Sequence, residues 1–174
     1  EGAPALAAEQ AADAAEGNLT RARVLVTDTG LMARRQAFAA VPGRLDGTGS
    51  TVIAVCNELN SQIEAAAAPL AARQTEEAEA LEARVAAAGE RGSGRKQMEE
   101  RHKREQRRHR VDELRSGMSV MAGVYRDALV AGTLPRPEAA VAAVQRIHTS
   151  LESLERNPNE TLLLQALLLE LPSV

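Results

Sequence analysis

Residues 157–172, NPNETLLLQALLLELP, decide the fold, because we expect a stretch of this composition to form a helix buried against other helices. Asn157 suits the cap of a helix and Pro158 its first position, and Pro172 is expected to end it. At 100° per residue the leucines point almost all the way round the helix axis and leave no polar face. They are Leu162, Leu163, Leu164, Leu167, Leu168, Leu169 and Leu171.

A helix that is apolar on every side needs other protein around it. At 1.5 Å per residue this helix is about 20 Å long, too short for the roughly 30 Å of a bilayer core. We therefore predict no membrane span. We expect the cover to come from the chain's own helices, from other subunits, or from both.

The composition of the whole chain predicts an all-α fold. Hydrophobic residues make up 44% and charged residues 26% of the 174 positions, which is ordinary for a globular domain. Alanine and leucine dominate the apolar residues, while Phe and Tyr occur once each and Trp is absent. This composition favours helix nearly everywhere, and no alternating strand pattern interrupts it.

Apolar spacings of three and four residues predict the helices that surround the leucine stretch. One pattern runs from residue 52 to residue 70, with a kink or break expected at Pro69. A second helical stretch begins with the charged run at residues 95–110 and continues into an apolar seam that would face a partner helix, until Gly132 closes it. A third helix covers residues 138–156. The seam consists of Val111, Leu114, Met118, Met121, Tyr125 and Ala128.

Two glycine-rich loops divide the chain. Residues 42–50, PGRLDGTGS, mark a predicted domain boundary, with a small three-helix bundle at residues 1–41 and a helical domain with long antiparallel helices at residues 45–174. Residues 89–94, GERGSG, connect the arms of a charged helical hairpin at about residues 71–110. The three short helices of the bundle are predicted at 5–16, 19–27 and 31–41, the last ended by Pro42.

The charge distribution indicates a basic patch, and the cysteine content indicates the cellular compartment. The net charge is −3, yet residues 95–110 carry eight basic and three acidic side chains and form the one basic patch. Cys56 has no partner for an intramolecular disulfide, and the sequence shows no signal peptide, so we predict a cytoplasmic protein. The chain opens at Glu1 without an initiator Met, and we expect it to be a piece of a longer protein.

The residue patterns predict neither a catalytic residue nor a cofactor or metal. Residues 89–96, GERGSGRK, approach the spacing of a phosphate-binding loop, but Arg95 stands at the lysine position and no strand precedes it. His102 and His109 lie two helical turns apart, about 10 Å, which is too far for one ion. We therefore predict that this chain is not an enzyme.

Three stretches carry a resemblance to a known family. Residues 14–28 read AAEGNLTRARVLVTD, residues 111–132 read VDELRSGMSVMAGVYRDALVAG, and residues 153–171 read SLERNPNETLLLQALLLEL. In that order they resemble the end of the lid domain, the YRD-containing helix and the final collar helix of one family. That family is the delta-prime subunit of the bacterial DNA polymerase III clamp loader, in its actinobacterial form.

The resemblance implies a lid remnant of an AAA+ module at residues 1–41 and a collar domain at about 45–174. In this family five collar domains pack into a ring, and the assembly loads the sliding clamp onto primed DNA during replication. The implied partners are therefore the other clamp-loader subunits and, through the whole assembly, the clamp and the DNA. Thr20 stands where ATP-binding relatives have a sensor arginine, which agrees with a non-catalytic subunit. The candidate subunit-interface residues are Tyr125, Leu163, Leu164, Leu167 and Leu168.

Two other functions stay open. The seam at residues 111–128 would suit a self-associating helical scaffold or adaptor. The basic run at residues 95–110 would suit a helical hairpin that binds nucleic acid through its phosphates, although interleaved glutamates and the lack of aromatic side chains argue against base stacking. The candidate nucleic-acid residues are Arg104, Arg107 and Arg108.

Overall fold

The computed structural model describes residues 30–88, 94–132, 134 and 136–173, with single positions between residues 8 and 28. Every regular element in these residues is a helix, which confirms the predicted all-α fold. The predicted helices at residues 5–16 and 19–27 lie outside the described ranges, as does Thr20.

Six α-helices and one short 3₁₀ helix follow one another in the described part of the chain. The expected break at Pro69 is confirmed, because a turn at Ala67 separates two helices and leaves Pro69 in the first turn of the second. The elements are α1 (Leu31–Arg44), α2 (Gly49–Ala66), α3 (Ala68–Ala88), α4 (Arg95–Val130), α5 (Pro137–Ser153), the 3₁₀ helix (Leu154–Arg156) and α6 (Glu160–Glu170).

Helix α4 is the centre of the fold. Its C-terminal half packs against α1 and α5, and α6 packs against α2 and α5. The N-terminal half of α4 pairs instead with α3 in an antiparallel hairpin, in which Gln74 meets Gln106 and Glu82 meets Arg95. The apolar core therefore lies around the C-terminal half of α4, and the hairpin extends from it.

The core is a single cluster that includes residues from both sides of the predicted domain boundary. Phe38 and Val41 of α1 belong to the same cluster as Tyr125 of α4. The described helix of the predicted first segment, residues 31–41, therefore shares one core with the helices that follow the loop. The remaining members from α2, α4, α5 and α6 include Val52, Val55, Cys56, Leu59, Ile63, Leu114, Met118, Met121, Ala143, Ile147, Leu164, Leu167 and Leu168.

We predicted that Pro42 would end helix α1 after residue 41. The helix instead continues to Arg44. A proline removes one backbone donor, yet the loss is confined here to the last turn, which the Leu45 N–H closes by donating to the Val41 carbonyl at 3.2 Å. Pro42 is itself buried, so its ring contributes apolar surface to the core.

The start of α6 also differs from the prediction. Asn157 does not cap the helix; it adopts a left-handed conformation with φ 62° and ends the preceding 3₁₀ turn. Asn159 is the cap, and its side-chain oxygen accepts a hydrogen bond from the Leu162 N–H at 3.1 Å. The helix runs from Glu160 to Glu170, and Leu171 is its C-cap, so it ends before Pro172.

Candidate interaction surfaces

Helix α6 is covered on one side only. Leu164, Leu167 and Leu168 are at most 3% exposed, whereas Leu162 and Leu169 are 61% and 57% exposed. The two exposed leucines are seven residues apart and therefore share one face, about 10 Å apart along the axis. The exposed Ala166 lies between them, so this face presents an apolar stripe. We call Leu162, Ala166 and Leu169 the outer leucine face.

The structure places most of the predicted interface residues inside the chain's own core. Tyr125, Leu164, Leu167 and Leu168 belong to the core cluster, and Leu163 packs at its edge. Tyr125, Leu164, Leu167 and Leu168 are therefore not available at the surface of this chain, whereas Leu163 is partly exposed. On α6, the apolar surface open to a partner is the outer leucine face, which the sequence pattern does not distinguish from the other leucines.

The C-terminal end of the leucine stretch is tied to α4 by a buried tyrosine. Burial raises the pKa of the Tyr125 hydroxyl, which therefore keeps its proton and donates it to the Pro172 carbonyl oxygen at 2.6 Å. Because Tyr125 lies in the middle of the core, this bond fixes the residues that follow α6 over the C-terminal half of α4.

Tyr125→Phe is expected to lower the free energy of unfolding by about 1 kcal/mol, the usual net value of one hydrogen bond. The ring stays in place, so the packing is preserved while the tie to Pro172 is lost. We also expect faster hydrogen–deuterium exchange of the backbone amides at residues 168–171 and 173. Unchanged urea unfolding together with unchanged exchange would show that the bond contributes nothing.

The predicted seam on α4 is filled by the same chain. Leu114, Met118 and Met121 are fully buried, and α1 and α5 lie along this half of the helix. A second copy could reach the seam only by displacing one of these helices. The structure therefore does not favour the scaffold that used this seam for self-association.

The hairpin of α3 and α4 is held together by polar side chains rather than by an apolar core. Gln74 is buried; its amide nitrogen donates to Glu105 at 3.1 Å, and its oxygen accepts from Gln106 at 2.7 Å. His102 pairs with Glu77 at 2.9 Å, and this hydrogen bond, followed by the charges of nearby arginines, lowers the pKa of Glu77. The hairpin is thus a set of matched hydrogen bonds and ion pairs between two helices.

The predicted nucleic-acid residues lie on the outer side of this hairpin. Arg104, Arg107 and Arg108 are all exposed. Arg107 approaches Glu160 at 4.0 Å, and among the described residues Arg104 and Arg108 have no ion-pair partner. These three cations are therefore presented to solvent together.

A buried arginine joins the start of α1 to α4. Arg34 is 5% exposed; its Nε donates to Glu113 at 2.8 Å, and its Nη atoms donate to Asp28. Asp28 also accepts a hydrogen bond from the Gly30 N–H at 2.9 Å. The sequence gives no signal of this cluster, because charged residues 79 positions apart form no local pattern.

The described residues give no metal centre and no membrane span. No group of three or more His, Cys, Asp and Glu side chains in the described ranges lies close enough to hold an ion. Among the helices of these ranges, none combines the length and the apolar character that crossing a bilayer requires. Cys56 is buried, and burial raises the pKa of its thiol to about 11.

Comparison with known proteins adds no relative. No protein-family model, no curated protein and no solved structure matches the chain.

Proposed function

We propose that this chain is a helical docking domain of a multi-subunit assembly, the collar portion of a clamp-loader subunit of the delta-prime type. In this proposal it helps to place the sliding clamp on primed DNA in the cytoplasm by holding other subunits, without catalysing a reaction itself. The observation that carries the proposal is the outer leucine face of α6. It leaves two large leucines in water on a helix whose other leucines pack inside the chain.

The outer leucine face has the composition of an interface core. Exposed leucines are common singly, but charged residues are usually depleted and large apolar residues clustered where a partner packs. From Thr161 to Leu169 the helix carries no charged residue. Leu162, Ala166 and Leu169 repeat at spacings of four and three, which is the spacing with which one helix packs on another.

The sequence resemblance supports the choice of assembly. The stretch at residues 153–171 that resembles the final collar helix contains the whole outer leucine face. The stretch at residues 111–132 supplies Tyr125, which ties the end of the leucine stretch to α4. In the proposal, α4 and α5 therefore form the rigid support on which α6 is presented to a neighbouring subunit.

The double substitution Leu162→Gln/Leu169→Gln is expected to prevent assembly with the clamp-loader subunits encoded by the same genome. Both side chains are more than half exposed, so the folded chain should keep its melting temperature to within about 2 °C. Assembly would be followed by size-exclusion chromatography with light scattering. A substitution at Leu167 would not serve as this test, because Leu167 lies in the core and its loss would destabilise the folded chain.

The matched control is Val130→Gln/Val141→Gln, which removes two exposed apolar side chains outside α6. We expect this variant to assemble like the natural chain. Normal assembly of the Leu162/Leu169 variant, or failure of the natural chain to assemble at all, would refute the proposal. A stable homodimer that depends on Leu162 and Leu169 would assign the face to a second copy of this chain instead.

A further inference from the structure

We infer that the outer side of α4, around Lys103, Arg104 and Arg108, binds the phosphate backbone of double-stranded nucleic acid. This inference does not depend on the proposed docking of α6, because it concerns a different helix and a different chemistry. The evidence for it is a group of exposed cations on α4 that make no ion pair within the described part of the chain.

Several basic residues of α4 are occupied within the chain. Arg101 pairs with Glu77, and Arg95 pairs with Glu99 at 3.0 Å and with Glu82 at 3.5 Å. Arg110 pairs with Glu160 at 2.7 Å and donates a hydrogen bond to Asn60 at 2.9 Å. These side chains hold α4 to α3, α6 and α2, so their positive charges are not available to bind a partner.

Four other cations of α4 are free in the described part of the chain. Their side chains are exposed, and within that part none of them makes an ion pair or a side-chain hydrogen bond. At 100° per residue they fall on one side of the helix together with Arg107, and Glu100 is the one carboxylate between them. The four are Lys96, Lys103, Arg104 and Arg108.

The net charge of −3 for the whole chain does not prevent this binding. At physiological salt, screening limits the range over which exposed charges interact to about 8 Å. A phosphate at this surface therefore interacts with the local cations rather than with the distant carboxylates. Arg104 and Arg108 are one turn apart, and Lys103 and Arg107 form a parallel pair, so several phosphates of one duplex could be contacted together.

The absence of exposed aromatic rings selects the duplex over a single strand. Single strands are held mainly by bases that stack on aromatic side chains. The chain has one Phe and one Tyr and no Trp, and Phe38 and Tyr125 are both in the core. The contacts that remain are those with the phosphates. Such contacts do not depend on the base sequence and depend strongly on the salt concentration.

The same surface lacks what a membrane contact requires. A basic helix that lies on a bilayer inserts large apolar side chains beside its cations. The exposed large apolar residues of the described chain are on other helices or, for Val130, at the far end of α4. We therefore favour nucleic acid over an anionic lipid surface.

The test is a fluorescence-anisotropy titration of the full chain with a labelled DNA duplex of about 20 base pairs, at salt concentrations from roughly 50 to 200 mM. Arg104→Gln/Arg108→Gln is expected to weaken binding at the lowest salt by roughly tenfold. It should also reduce the slope of log K against log salt by about 2, one unit for each lost phosphate contact.

The matched control is Arg126→Gln/Arg136→Gln, which removes the same charge from exposed side chains. Arg126 lies about 27 Å further along α4 than Arg108, well beyond the screening length. This control should bind within about twofold of the natural chain. Thermal unfolding by circular dichroism would verify that both variants fold.

Three outcomes would overturn the inference. The first is a natural chain that does not bind the duplex at the lowest salt, and the second is equal loss in the test and control variants. The third is binding to phosphatidylserine vesicles without binding to the duplex. Loss of duplex binding with normal subunit assembly would leave the docking role of α6 untouched, so the two proposals can fail separately.

Discussion

Gly117→Ala is expected to lower the free energy of unfolding by about 2 to 3 kcal/mol, although alanine is the better helix former. A Cβ atom at residue 117 would lie 2.4 Å from Cε1 and Cζ of Phe38 and 2.5 Å from Cε2. These distances are far inside van der Waals contact, so α1 and α4 must separate or the ring must leave its place. The helix-propensity gain of about 1 kcal/mol cannot compensate for this overpacking.

Gly123→Ala is the matched control for this substitution. It lies in the same helix, and the nearest atom to its added Cβ would be the flexible end of Arg126 at 3.6 Å. We expect it to stabilise the protein by up to about 1 kcal/mol through helix propensity alone. Urea unfolding followed by circular dichroism would measure both. If Gly117→Ala were as stable as Gly123→Ala, the close packing of Phe38 on α4 would be disproved.

A second substitution tests the cause of the Gly117 effect. Phe38→Leu alone should destabilise the core, because it removes part of a buried ring. Combined with Gly117→Ala, it should cost less than the sum of the two single changes, because the shorter side chain makes room for the new methyl group. Simple additivity would show that the two residues do not interact.

Arg34→Met is expected to cost about 3 kcal/mol, since it leaves Asp28 and Glu113 without the cation that lies between them. The lower end of the usual range applies because both carboxylates retain some contact with water. Arg35→Met, one residue further along the same helix and only partly buried, is the matched control and should change stability by less than about 0.5 kcal/mol. Equal effects of the two changes would contradict a structural role for the Arg34 cluster.

The Arg34 cluster also predicts a pH dependence. Burial by itself raises the pKa of Asp28, but the hydrogen bond and charge of Arg34 outweigh it and hold the pKa below its usual value of 3.8. A depressed pKa in the folded state means stability that is present above the unfolded pKa and lost as the pH falls through the folded pKa. The difference in stability between the natural chain and Arg34→Met should therefore be constant near neutral pH and shrink below about pH 4. A difference that grew in acid would contradict this assignment.

The helices themselves could be predicted from the sequence, because each has an apolar spacing or a run of strong helix formers. The exact helix ends could not. Residues 157–160, NPNE, contain two asparagines that could cap the helix, and the contact of this segment with α4 favours the second. Glu160 binds Arg110 at 2.7 Å, and Asn159 rather than Asn157 caps the helix. A local pattern contains no information about an arginine fifty residues earlier.

Contacts between residues far apart in the sequence could not be predicted from it either. Arg34 gave no sign of being buried, because a cation in a short helix is usually solvated. Gly117 gave no sign of its role either, since a glycine within a helix indicates only a close approach of some kind. Both became meaningful when α1 and α4 were placed side by side, with Phe38 over Gly117 and Glu113 beside Arg34.

The sequence by itself determined that the chain is helical and that its last helix has no polar face. It could not determine which leucines of that helix meet water, because periodicity identifies a buried face only when the two faces differ in composition. Only the packing of α6 against α2 and α5 made the choice, by covering Leu164, Leu167 and Leu168 and leaving Leu162 and Leu169 outside.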